Sequence, residues 1–226
     1  LVKDLQNLME EDLEEHTGND IYKIVEDIVT ILDRTTDRII GKHIDFAPEQ
    51  FFVMGRTNQL HQVFLNLGTN AVCAIEEKGA GPDDCITITA RKEAVDEQAP
   101  GGPPPGKYIH VEFSDTGTGM NDEVKRRAFD PLFTTKQRSS RKGQGLGLTM
   151  AYTIVTRRHH GFISIDTAPG MGSTFHVYLP EAEKSMASCP VSLSQLSGGT
   201  ETILIVDDEE DVRDFLSRAL RVYGYK

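Results

Sequence analysis

Basic residues are what this chain of 226 residues is short of. Lysine and arginine number 24 against 35 aspartates and glutamates, a formal net charge of -11 with a pI near 5.1. Nucleic-acid backbones are bound through clustered cations, so no nucleic-acid partner is expected. The short clusters Arg138, Arg141, Lys142 and Arg157, Arg158 read as local features. Cysteine is scarce as well. Cys73, Cys85 and Cys189 form no Cys-x-x-Cys pair, and an odd number cannot make a closed disulfide framework, which fits a reducing cytoplasm. No apolar run approaches the ~20 residues of a membrane span, and the acidic start is unlike a secretory signal. The chain opens at Leu1 rather than methionine, so it is expected to be a piece of a longer protein, whose membrane anchoring stays open. His159 and His160 have no second pair at metal-ligand spacing and read as solvated residues at a helix end. What is present, 38% hydrophobic residues, suffices for one well-filled domain with appended pieces.

Periodicity divides the chain. Leu1, Leu5, Leu8, Met9 and Leu13 recur at helical spacing, so residues 1–15 read as a short amphipathic helix. Thr17 to Asp20 interrupts and supplies a helix cap. Ile21, Ile24, Val25, Ile28, Ile31, Leu32 and Ile39 form the next helical stripe, and a strand follows around His43 to Phe46. Gln59 to Glu76 reads as a helix burying Leu60, Val63, Phe64, Leu67, Ala71 and Ala74. Strands are expected at Ile86 to Arg91 and Tyr108 to Ser114, around a Pro- and Gly-rich loop at residues 99–106. A further helix over 147–158 precedes a hairpin of Gly161 to Asp166 with Thr174 to Leu179. Without a regular βαβ repeat, the pattern predicts an α+β fold: a mixed sheet covered on one face by helices. Residues 184–199, rich in serine and small residues, look like a linker. Thr202 to Val206 then makes an apolar strand that runs into Asp207, Asp208, Glu209 and Glu210 and a helix to about Tyr223.

Chemistry concentrates at Asp115-Thr116-Gly117-Thr118-Gly119-Met120. A carboxylate there can accept from an exocyclic amine such as that of adenine, and the glycines let the backbone approach a ligand closely. On turn chemistry alone, a plain turn is the commoner reading. Three more segments change that balance: Asn66-Leu67-Gly68-Thr69-Asn70-Ala71, Phe129 to Lys136, and Gly143-Gln144-Gly145-Leu146-Gly147-Leu148-Thr149. In this order the four resemble the N, G1, F and G2 boxes of the sensor histidine kinases, over roughly residues 18–183, and are most similar to those of bacterial hybrid kinases. Gly101 to Lys107 fits the first seven positions of a P-loop, but Tyr108 replaces the metal-binding hydroxyl and three prolines remove N–H donors.

The resemblance implies a two-layer α/β sandwich of the Bergerat type, with ATP and Mg²⁺ as cofactors. Asn70, one helical turn after Asn66, would be the metal ligand, and Cys73 stands where many relatives carry a phosphate-contacting lysine. Thr134, Thr135 and Lys136 would begin a lid over residues 137–142, with Lys136 a candidate γ-phosphate contact. Gly143, Gly145 and Gly147 would turn N–H groups toward phosphates, while Leu146 and Leu148 anchor that turn in the core. Ser173 or Thr174 would supply the hydroxyl that supports Asp115. Residues 1–17 read either as an ordinary surface helix or as the remnant of a dimerisation hairpin. Residues 200–226 resemble the start of a receiver domain, with Asp207 and Asp208 a vestigial acidic metal pair.

None of the seven histidines has the family's phosphoacceptor setting, so the acceptor is expected upstream, in a dimerisation domain of a homodimeric parent. The present piece could then be monomeric. A response regulator, or the parent's own receiver, would take the phosphoryl group. The expected function is the catalytic domain of a histidine kinase; the alternative is a nucleotide-sensing or scaffolding module that transfers nothing.

Overall fold

The computed structural model describes residues 17–36, 39–97, 101–135 and 145–182, with Thr202, Leu204 and Tyr225. The chain divides into two compact units, Leu1–Ser188 and Cys189–Lys226, and the division falls within the expected linker. The expected N-terminal helix, the start of the lid at Lys136 with residues 137–142, Gly143, and the Asp207–Asp208 pair lie outside the described residues. No helix among the described residues is long and apolar enough to cross a membrane.

In the first unit β1 (Thr17–Asp20) leads into α1 (Ile21–Thr35), then β2 (Gly41–Phe46), β3 (Phe52–Gly55) and α2 (Thr57–Lys78). The long hairpin of β4 (Cys85–Val95) and β5 (Gly106–Asp115) follows. After it come α3 (Asp122–Arg127), α4 (Gly147–Thr153) with a π turn at Ile154–Arg158, and the hairpin of β6 (Phe162–Thr167) and β7 (Ser173–Pro180). Five strands form one sheet in the order β2-β4-β5-β7-β6, in which only β2 and β4 are parallel, so the sheet is mixed as expected. Period-two alternation turns Ile109, Val111, Phe113 and Asp115 toward the helices and His110, Glu112 and Ser114 away from them. Between helix and sheet, Phe64 of α2 stacks on Phe113 at 5.5 Å. Gly106 and Lys107 lie within β5, where no phosphate-binding loop can form.

Several elements differ from expectation. Thr17–Asp20 does cap α1, since Asp20 accepts from the Tyr22 N–H at 3.1 Å. It is also a strand, paired antiparallel with β3, which period-two reading did not find. Asn19 makes that pairing polar: its Nδ2 donates to the Gly55 carbonyl at 2.9 Å and its Oδ1 accepts from Thr57 at 2.6 Å. Helix α1 ends at Thr35, leaving Ile31 39% and Ile39 42% exposed, off the buried stripe. The helix expected to reach residue 158 gives way to a π turn, in which the His159 N–H bonds to the Ile154 carbonyl at 3.0 Å. His159 is not solvated but 6% exposed, with its ring against the bare Cα of Gly55.

Candidate functional site

A cavity of about 670 Å³ lies among α2, the ends of β5 and β7, α3, and the segments around residues 133–135 and 145–148. That is the size of a small-molecule site. Asp115 closes β5 opposite Ser173, 8% exposed. Its Oδ1 accepts from the Gly117 N–H at 2.8 Å and the Ser173 N–H at 3.3 Å, which leaves Oδ2 for a ligand. Burial pushes this carboxyl above its ordinary pKa while the two N–H groups hold it down. The result is a fixed, partly desolvated acceptor, the chemistry that an amine-bearing base requires.

The turn after Asp115 rests directly on α2. Thr118 N–H bonds to the Ala74 carbonyl at 3.2 Å, and a Cβ on Gly117 would fall 2.6 Å from that of Ala74. Ala74, expected in the core, therefore lines the cavity. Gly119 adopts φ +64°, and a Cβ there would stand 2.0 Å from the Ala168 carbonyl oxygen. Two side-chain networks missed in the sequence hold this turn. Thr167 Oγ1 accepts from the Met120 N–H at 2.9 Å, reaches Ser173 Oγ at 3.0 Å and donates to the Gly172 carbonyl. On the other side, Lys78 Nζ and Thr116 Oγ1 both donate to Asp84 Oδ1, at 2.7 and 2.8 Å, while Gly81 N–H reaches Oδ2. The Lys78 ammonium, Thr116 and Gly81 together lower the Asp84 pKa from 3.8 to about 2.

Of the remaining expected residues, Asn70 lines the cavity and makes no side-chain hydrogen bond among the described residues. Asn66 does not present both ends of its amide to a ligand, because its Nδ2 donates to the Gly147 carbonyl at 3.0 Å and ties α2 to the start of α4. Met120, Thr134, Thr135, Gly145, Gly147 and Leu148 border the same space, as does Cys73. Leu148 packs on the core, whereas Leu146 is only half-buried at the head of α4 and does not anchor the turn there. Ser173 supports Asp115 through its backbone N–H rather than its hydroxyl. Thr174 is not part of the cavity wall: strand alternation sends it to the other face, against Ser114. Lys136 and Gly143 lie outside the described residues.

A sequence profile of histidine kinase-, DNA gyrase B-, and HSP90-like ATPases matches residues 55–183. The chain is 34% identical over 218 residues to sensor kinase CckA of Brucella abortus (strain 2308), covering 91% of this chain and 22% of that protein. It is 30% identical over 183 residues to sporulation kinase A of Bacillus subtilis (strain 168), covering 80% and 25%. The chain thus spans about a quarter of the length of these curated relatives. In fold it is similar to the catalytic domain of histidine kinase ThkA, with a TM-score of 0.59 at 22% identity over 75% of this chain and all of that one. Full-length ShkA, solved with AMPPNP, gives 0.58 at 20% identity over all of this chain and 43% of that one. With the glycine turns, the buried aspartate and the asparagine pair around one cavity, the chain belongs to the histidine kinase-, DNA gyrase B-, and HSP90-like ATPases and carries the ATP-binding catalytic domain of a sensor histidine kinase.

Proposed function

We propose that this domain holds ATP with Mg²⁺ so that a histidine on an upstream dimerisation domain of the parent receives the γ-phosphoryl group. The observation that carries the reading is the buried Asp115, one oxygen fixed by backbone N–H groups and the other left for the cavity. The residues present fit the cofactors: an acceptor for the base amine, a neutral amide oxygen on Asn70 for a hard cation, and glycine turns where backbone meets ligand. ATP supplies the phosphoryl group, and Mg²⁺ offsets the charge on its phosphates. Asp115 would orient the base, Asn70 would hold the metal, and Thr134 and Thr135, with Lys136 by resemblance, would meet the phosphates. No side chain of this domain needs to act as nucleophile, so its contribution is positioning and charge stabilisation.

The same reading extends to partners. The apolar run Thr202 to Val206 leading into Asp207, Asp208, Glu209 and Glu210 is the sequence pattern behind the assignment of 200–226 to the start of a receiver in a hybrid kinase. ThkA has been solved in complex with the response regulator TrrA, and a response regulator is the partner proposed here, with a homodimeric parent. Cys73, bordering the cavity where many relatives have lysine, favours the second reading of a module that binds nucleotide without transfer.

Calorimetry with ATP and Mg²⁺ tests the pocket. Asp115→Ala removes the acceptor of the base amine and should cost about 1–3 kcal/mol, roughly 5- to 150-fold in affinity. Asn70→Ala should weaken chiefly the Mg²⁺-dependent part. Unchanged binding in Asp115→Ala would overturn the assignment.

A further inference from the structure

The sheet face turned away from the cavity carries a second cluster of ligating side chains, which nucleotide binding does not use. His110 and Glu112 are two residues apart on β5, and His176 stands opposite Glu112 on β7. All three side chains therefore project to one side of a rigid antiparallel pair. We propose that His110, Glu112 and His176 form a binding site for a divalent transition-metal ion of the zinc type.

The geometry is that of a ligand triangle. His110 Nε2 and His176 Nδ1 are 3.1 Å apart, and Glu112 Oε1 lies 3.6 Å from the first and 3.7 Å from the second. An ion with bonds of about 2.0–2.1 Å in tetrahedral array separates its ligand atoms by roughly 3.3–3.4 Å, so small side-chain adjustments admit one. Two imidazoles and one carboxylate suit zinc, copper, nickel or cobalt, whereas Mg²⁺ prefers an all-oxygen shell.

One outer contact matches that of a metal-bound histidine: His110 Nδ1 is 2.7 Å from Glu93 Oε2. His176 Nε2 is 3.2 Å from Asp166 Oδ2, an ion-pair distance without hydrogen-bond geometry. The Tyr178 ring stacks on His110 at 4.0 Å and 15°, fixing the imidazole plane. Glu112 and His176 keep side-chain exposures of 23% and 18%, a path for the ion and a solvent ligand.

Two cations compete. Arg91 Nη1 is 2.7 Å from Glu112 Oε1, and Lys125 Nζ is 3.6 Å from Asp166 Oδ1. Three carboxylates, Glu93, Glu112 and Asp166, still outnumber them. Arg91 Nη2 also lies 3.2 Å from Glu93 Oε2, so the ion must displace the guanidinium from Glu112 Oε1 toward Oε2, which among the described residues has a 3.4 Å contact from Thr89. The two ring nitrogens are 3.1 Å apart. Protons compete with the ion for them, so affinity should fall as pH is lowered.

Calorimetric titration of the whole chain with zinc chloride tests the site. One ion should bind per chain, more weakly as pH is lowered. His176→Gln should lose more than the 10- to 100-fold expected from Glu93→Gln, which removes only an outer partner. His160→Ala should bind like the parent. Far-UV circular dichroism establishes that each variant is folded. Without any substitution, the imidazole resonances of His110 and His176 should shift on zinc addition while those of His43 and His61 stay. Absence of binding by the parent, shifts confined to other histidines, or equal affinity in a folded His176→Gln would overturn the proposal.

Discussion

Asp84 shows how much of the site depends on residues that do not look functional. Its carboxylate joins the end of α2 to Thr116 and so holds the turn that carries Asp115. With its folded pKa lowered from 3.8 to about 2, it contributes stability that is complete above the upper value and is lost as pH falls through the lower one. Asp84→Asn should therefore flatten the acid limb of a plot of melting temperature against pH in that window, while the parent's curve falls. A limb of equal slope in both proteins would show that the network is not coupled to folding. Gly119 offers a test of the turn itself. Alanine there meets a left-handed φ and the Ala168 carbonyl, so Gly119→Ala should destabilise by more than about 1 kcal/mol. It should also weaken ATP binding, both read from the denaturation midpoint and a calorimetric titration. Asp115, the glycines and Asn70 were legible because chemistry dictates their types in order along the chain. Lys78, Asp84, Thr116 and Thr167 were not, since a lysine, an aspartate and two threonines acquire meaning only when folding brings them to one turn.

Among the elements, the contact between β3 and the π turn is sensitive to substitution. Gly55 has His159 where a side chain would be, its Cε1 2.0 Å from an added Cβ, and the imidazole is buried. Gly55→Ala should cost about 1–3 kcal/mol of overpacking, seen as a lower urea midpoint at constant m-value. Helices α1 and α2 and the hairpins β4–β5 and β6–β7 were readable because their apolar residues keep a helical or two-residue period against a single core. β1 and β3 were not, because four residues give too short a pattern and their pairing is fixed by Asn19, a polar side chain thirty-six residues from its partner Gly55. The π turn escaped for a related reason: one extra residue shifts every later side chain around the axis, and that shift buries His159 while periodicity places it outside.

For the molecule as a whole, the proposed division of labour makes a kinetic prediction. The chain alone, incubated with γ-labelled ATP, should bind nucleotide and remain unlabelled, because nothing in the described site serves as a nucleophile. Mixed with a separate phosphoacceptor hairpin, it should direct label onto histidine of the hairpin. The expected product is acid-labile and alkali-stable. Such label on this chain alone would mean that one of its own histidines is the acceptor, and nucleotide binding with no label on either partner would favour the sensing module. One architectural detail bears on how such a domain is carried. Thr17 pairs with Gly55 at one end of β3, and the Ala182 N–H bonds to the Phe52 carbonyl at the other. The incoming strand β1 and the segment that leaves β7 are thus both bonded to the same four residues, on the order of 10–15 Å apart at strand spacing. Tension applied across Thr17 and Ala182 would load that short seam first, and through Ala182 it would next meet β7, whose Ser173 and Phe175 line the cavity, so a pull on the tethers has a direct mechanical path to the nucleotide pocket.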